Sequence, residues 1–132
     1  MQSVSSSAVA QAMGSSETGV LIGTYFDGRP LYKKTLCFQV PSNGNYSISL
    51  GETGAKVVSW RGNFFQGSID SPAWIMHIPY TYFDPANLGT MINIYVYFDP
   101  SSNKFQCSFY GSGQYASSYF AGWAVLYVEY KK

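Results

Sequence analysis

The sequence predicts an all-β fold, an antiparallel β-sandwich or jelly-roll-like arrangement of about eight short strands, and three observations carry that prediction. From Val20 onward apolar residues recur with period 2, which places successive side chains on opposite faces of a pleated sheet. Turn formers interrupt these runs at short intervals: Asp27-Gly28, Asn43-Gly44, Asp84-Pro85, Asp99-Pro100 followed by Ser101-Ser102-Asn103, and Gly111-Ser112-Gly113. No helix-period pattern of useful length follows residue 19. At 132 residues the chain is one domain, and with 18% aromatic against 11% charged residues it is globular rather than disordered.

Residues 1–19 are dominated by Ser, Ala, Gln and Gly, with faint helical spacing through Val4, Ala8, Val9, Ala12 and Met13. They read as a flexible tail or as the remnant of a stalk or neck. Strands are then expected at Val20–Phe26 and Leu31–Val40, joined by the Asp27-Gly28 turn, and at Ser47–Ser49 and Lys56–Phe65. A fifth is expected at Ala73–Pro79, with Trp74, Met76 and Ile78 facing in and Ile75 and His77 facing out. In Met91–Phe98, Ile92, Ile94, Val96 and Phe98 share the inner face, and Asn93, Tyr95 and Tyr97 the outer. Phe105–Tyr110 repeats the pattern with Phe105, Cys107 and Phe109, and Trp123–Lys131 completes the set. Cys37 and Cys107 are both expected to point inward, as buried thiols or as one disulfide; two Cys and one His cannot assemble a four-ligand zinc site.

Function classes narrow quickly. Net charge is +1 and the basic residues are scattered, so no basic stripe exists for a phosphate backbone and nucleic acid is not an expected partner. No run approaches the ~20 apolar residues of a membrane span, and the first 19 residues lack the basic and apolar regions of a secretory signal. No membrane insertion is expected. His77 is the only histidine, which leaves a nucleophilic triad little to build on. A glycosidase needs two carboxylates, and Asp70, Asp84 and Asp99 are available, but Asp84 and Asp99 each precede a Pro and suit turn capping. The expectation is a non-enzymatic protein without cofactor.

Binding is the better-supported class. Sugars present apolar CH faces and rings of hydroxyls, and proteins meet them with aromatic platforms beside planar hydrogen-bonding groups. The candidates are Trp60 and Arg61, which stand beside Asn63, Tyr95 and Tyr97 on an outer strand face, and Tyr115 and Tyr119 in a Gly/Ser/Tyr-rich stretch from 110 to 119. Such loops combine contact area with adaptability. The competing readings are core packing for Trp60 and Trp74, a subunit interface for Tyr95 and Tyr97, and a merely flexible loop. Trp74 and His77, on opposite faces of one strand, are not expected to share a site.

Two segments carry a family resemblance. Gly23-Thr24-Tyr25-Phe26-Asp27-Gly28-Arg29-Pro30-Leu31-Tyr32-Lys33-Lys34-Thr35 is similar to the opening of the C-terminal tip domain of bacteriophage tail fibres and baseplate proteins. Leu126-Tyr127-Val128-Glu129-Tyr130-Lys131-Lys132 resembles the finish of the same family, with Lys131 where Thr is usual. The resemblance implies that 20–132 is a receptor-binding head, that 1–19 ends a stalk, and that the domain works as a homotrimer in the virion. It further implies recognition of a bacterial cell-surface saccharide during host adsorption. Within the motif, Gly28, Pro30 and Tyr32 would be structural, and Lys33 and Lys34 solvated. The alternatives are a structural trimerisation and capping domain, or a carbohydrate-active enzyme.

Overall fold

The computed structural model describes residues 19–87, 89–116 and 119–132; the tail reading for 1–18 lies outside them. The described strands are β1 (Val20–Thr24), β2 (Pro30–Val40), β3 (Gly44–Ser49), β4 (Lys56–Gln66), β5 (Ile75–Ile78), β6 (Tyr80–Phe83), β7 (Met91–Asp99), β8 (Lys104–Ser112) and β9 (Gly122–Lys131). They form two antiparallel sheets, ordered β1-β2-β9-β4-β5 and β3-β8-β7-β6. The fold is therefore an all-β sandwich with nine described strands. β4 and β5 pair within one sheet, and β6, β7 and β8 form a meander in the other, so the pairing establishes the sandwich and not a jelly-roll winding.

The strand missed by periodicity is β6. Only Pro79 separates it from β5, and three of its four residues are exposed, so no buried face imprints alternation on it. β3 begins at Gly44 because Tyr46 and Ile48 pack on the core while Asn45, Ser47 and Ser49 are exposed. The Asp27-Gly28 hairpin forms as expected: Gly28 takes a positive φ of 86°, and the Asp27 carboxylate accepts the Arg29 N–H at 3.0 Å.

Both sheets feed one core. Leu36, Phe64, Ala124, Leu126 and Val128 come from the five-stranded sheet, and Ile92, Ile94, Val96, Phe105, Cys107 and Phe109 from the other. Rings interlock across the gap: Phe64 lies 5.3 Å from Phe109, and Trp60 meets Phe105 edge-on at 5.8 Å. Each such large side chain contributes about 1.5–3 kcal/mol by burial. The in-out assignment along β7 and β8 holds, with Tyr95 and Tyr97 exposed opposite buried Ile94 and Val96.

Two expectations fail on β2, for one reason. Its core face is Tyr32, Lys34, Leu36, Phe38 and Val40, so Cys37 projects from the outer face, across from Val125. Leu36 and Phe38 flank Cys37, and three consecutive apolar residues conceal the register. Cys37 and Cys107 are thus separate thiols. Burial raises both, Cys107 to about 12, which leaves little thiolate at neutral pH.

Lys34 is not solvated. It is 6% exposed, beside Glu52 at 8%, and its ammonium donates to the Leu50 carbonyl at 2.8 Å and lies 3.9 Å from Glu52 Oε1. That oxygen also accepts the Tyr130 hydroxyl at 2.9 Å and the Gly19 N–H at 2.5 Å, while Lys132 stands 3.6 Å from Oε2. Tyr32 stacks on Tyr130 at 5.5 Å. Nearby, Lys131 pairs with Asp27 at 2.5 Å and Arg29 Nε donates to the Lys132 carbonyl at 3.1 Å. The two segments singled out at the chain's ends are therefore neighbours in space, and Tyr32, Gly28 and Lys34 serve the fold.

Burial tends to raise the Glu52 carboxyl, but the Gly19 and Tyr130 hydrogen bonds and the Lys34 and Lys132 charges outweigh it, and its pKa is lowered. A lowered folded-state pKa stabilises the ionised form, so this contribution is complete above the carboxyl's ordinary 4.5 and disappears as pH falls through the folded value. Glu52→Gln is expected to cost about 3 kcal/mol at pH 7, because the negative charge that faces the buried Lys34 ammonium is removed. Urea midpoints of the two proteins should converge on acidification; a gap unchanged at acid pH would show that the carboxylate charge is not what stabilises this end.

Candidate functional site

β5 and β6 are the edge strands of opposite sheets, joined through Pro79, and the sandwich opens between them. The opening is a cleft of about 390 Å³ lined by Trp74, Ile75, Met76, His77, Tyr80, Tyr82, Ile92, Tyr115 and Tyr119. Its wall continues the core outward. Phe64 contacts Trp74 at 5.7 Å, Trp74 stacks on Tyr119 at 5.2 Å and 26°, Tyr119 meets Tyr115 at 4.7 Å, and Tyr115 meets Tyr82 at 6.2 Å.

Backbone hydrogen bonds hold this wall in place. The Asn43 amide donates to the Tyr115 carbonyl at 2.9 Å, and its oxygen accepts the Phe120 N–H at 2.9 Å. One side chain thus clamps both ends of the segment carrying Tyr115 and Tyr119. Gln66 donates to the Tyr119 carbonyl at 3.3 Å, and the Ser112 hydroxyl to the Gly89 carbonyl at 2.7 Å. Gly111 permits the close return of the chain, since a Cβ there would come within 2.1 Å of the Tyr115 carbonyl oxygen. A single 3-10 turn, Gly113–Tyr115, follows.

Two phenols of the cleft, Tyr82 and Tyr119, are shifted toward their neutral form. The Asp84 charge, then burial, raises Tyr82, and burial, then the neighbouring Tyr115 and Tyr80, raises Tyr119. Protonated phenols can donate as well as accept hydrogen bonds. The cleft therefore combines aromatic faces with hydroxyl groups, a chemistry suited to a ligand having both CH surfaces and hydroxyls. Asp84 is occupied in its own turn, accepting the Ala86 N–H at 2.9 Å, and Asp99 accepts from Ser101 and Ser102. No cluster of three or more His, Cys, Asp or Glu suited to a metal occurs among the described residues.

The residues expected to bind fall in three places. Tyr115 and Tyr119 line the cleft. Tyr95 and Tyr97 stand on the outer face of the second sheet, 6.5 Å apart with near-parallel rings, in rows that include Ser108 and Gln106. Trp60 faces the core against Phe105, whereas Arg61 emerges on the outer face of the first sheet over the Tyr127 ring at 4.5 Å. Trp60 and Arg61 are adjacent in sequence but occupy opposite faces of β4, so they cannot form one indole-guanidinium platform. Trp74 and His77, expected apart, line the same cleft; β5 is an edge strand, so groups from both its faces reach the rim.

Tyr80, Tyr82 and Asn43 are the site residues that sequence reasoning passed over. The signal for the first two was the aromatic density from Trp74 to Phe83 about a single Pro. Asn43 carried none beyond a turn.

Asn43→Ala should release the loop while leaving both sheets paired, at a cost of about 1–3 kcal/mol for the unpaired backbone groups. Limited proteolysis should then cut between 113 and 119 faster than in the wild type; an unchanged cleavage pattern would show that Asn43 does not hold the loop. No family model matches the chain, nor does any curated protein or solved structure.

Proposed function

We propose that this domain recognises a saccharide non-covalently through the β5–β6 cleft, as the receptor-binding tip of a bacteriophage tail fibre. The observation carrying the saccharide reading is the continuous aromatic wall from Trp74 through Tyr119 and Tyr115 to Tyr82, held by hydrogen bonds to its backbone and bearing phenol hydroxyls. Rigid Tyr and Trp side chains give contact area with little entropy to lose on binding. The tail-tip reading is supported by the two motif-bearing segments, which pair as β2 and β9 with Tyr32 opposite Tyr130. Catalysis is not part of the proposal: of the three carboxylates a glycosidase would draw on, Asp70, Asp84 and Asp99, the last two are engaged in turns.

The domain acts as a homotrimer in this proposal, and the exposed Tyr95, Tyr97 and Tyr110 on the outer face of the second sheet suit a subunit interface. The same surface favours the second reading, a trimerisation and capping domain without a receptor. Several tips on one virion would convert weak single-site contacts into firm attachment.

A glycan array, followed by adsorption to whole bacterial cells, tests the reading. The wild type is expected to bind, and Tyr82→Ala or Tyr115→Ala to weaken binding about tenfold, the usual scale for a buried aromatic contact. Binding unaffected by either substitution would move the site elsewhere, and a silent array with no adsorption to any host would favour the capping reading. Light scattering should give three chain masses; a monomer would remove the trimer.

A further inference from the structure

The outer face of the five-stranded sheet carries a second concavity, on the opposite side of that sheet from the core. It measures about 510 Å³, and Lys33, Ser59, Arg61, Tyr127 and Glu129 are among the residues lining it. Two adjacent rows cross β2, β9 and β4: Thr35, Tyr127 and Arg61, then Lys33, Glu129 and Ser59. β4 is bulged between Val57 and Ser59, and β1 between Leu21 and Gly23; bulges bend and twist the strands that contain them.

Arg61 lies over an aromatic ring. Its guanidinium carbon is 4.5 Å from the Tyr127 ring centroid, a cation–π contact that supplies no hydrogen-bond acceptor lone pair, so the N–H donors of the guanidinium remain suited to an oxyanion. Among the described residues neither Arg61 nor Lys33 makes an ion pair. Two cations therefore share the groove with one carboxylate, Glu129, and with the Ser59 hydroxyl.

We propose that this groove binds a carboxylated sugar of the uronic acid type. Arg61 takes the carboxylate through two parallel N–H donors, Lys33 adds a second positive charge, and Glu129 and Ser59 accept hydrogen bonds from ring hydroxyls. Glu129 selects against phosphate, whose additional negative charge it would face. The site stands on its own geometry, and it rests on the saccharide reading only in supposing that a glycan presents the acid.

The test is an amide and arginine-side-chain NMR titration of the whole protein with D-glucuronate, D-glucose and inorganic phosphate. Glucuronate should shift Ser59, Arg61, Tyr127 and Glu129 and the Arg61 Nε–H, and glucose should not. Arg61→Gln is expected to weaken that binding about tenfold or more, as loss of a charge-assisted bidentate contact does. Lys33→Gln should weaken it less, with a reduced response to added salt. Tyr82→Ala should leave it unchanged, which separates this groove from the cleft. The proposal is overturned if glucuronate shifts none of these residues, if its effect survives Arg61→Gln, or if glucose or phosphate shifts them equally. Any of those outcomes with a positive glycan array would remove the groove and leave the cleft reading standing.

Discussion

Phe64 is the contact on which the rest of the molecule turns. Its ring, fully buried on β4, touches Phe109 from the opposite sheet, Phe120 from the segment entering β9, and Trp74 from the approach to β5. A single side chain thus fixes the distance between the sheets and also supports the innermost member of the cleft wall. Interiors are close-packed, so displacement of one ring is felt by its neighbours. Stability and the shape of the binding surface are consequently coupled here: the floor of the cleft is the end of the core.

The opposite end of the sandwich is organised by charge. Glu52 gathers a backbone N–H, a phenol and two ammonium groups, and so permits Lys34 to occupy the core face of β2. Aromatic packing holds the end that presents a surface, and ionic pairing the end where Lys34 of β2 and Tyr130 of β9 meet Glu52. The two ends should respond differently to charge screening and to acid, since packed rings hold no ion pair to screen and no carboxylate to protonate.

Most of the architecture was legible because a strand buried on one face writes its environment into alternate residues. β7 and β8 show this best, where Ile92, Ile94 and Val96 and then Phe105, Cys107 and Phe109 follow the core without a break. Legibility failed where alternation was absent or misleading. β6 has no strongly buried face, Cys37 sits between two apolar neighbours, and Lys34 occupies a core position that no charge pattern announces. The candidate site was readable only in part. The composition around Tyr115 and Tyr119 suggested a binding loop, but that Trp74, Tyr80 and Tyr82 join them depends on β5 and β6 being edges of different sheets. Pairing order of that kind is set by contacts between distant segments and leaves no local trace. Trp60 and Arg61 illustrate the converse, since adjacency along a strand guarantees opposite faces.

β9 lies in the interior of its sheet, paired with β2 on one side and β4 on the other. A nascent chain leaves the ribosome from its N-terminus, so β2 and β4 must emerge with bare inner edges and wait for the strand that will separate them. The β6–β7–β8 meander, whose pairings are local, has no such delay. Unpaired edges are where chains aggregate, and long-range pairing is slow. The interval between translation of β4 and release of Gly122–Lys131 is therefore the vulnerable period in the life of this protein, and it is governed by the pace of synthesis.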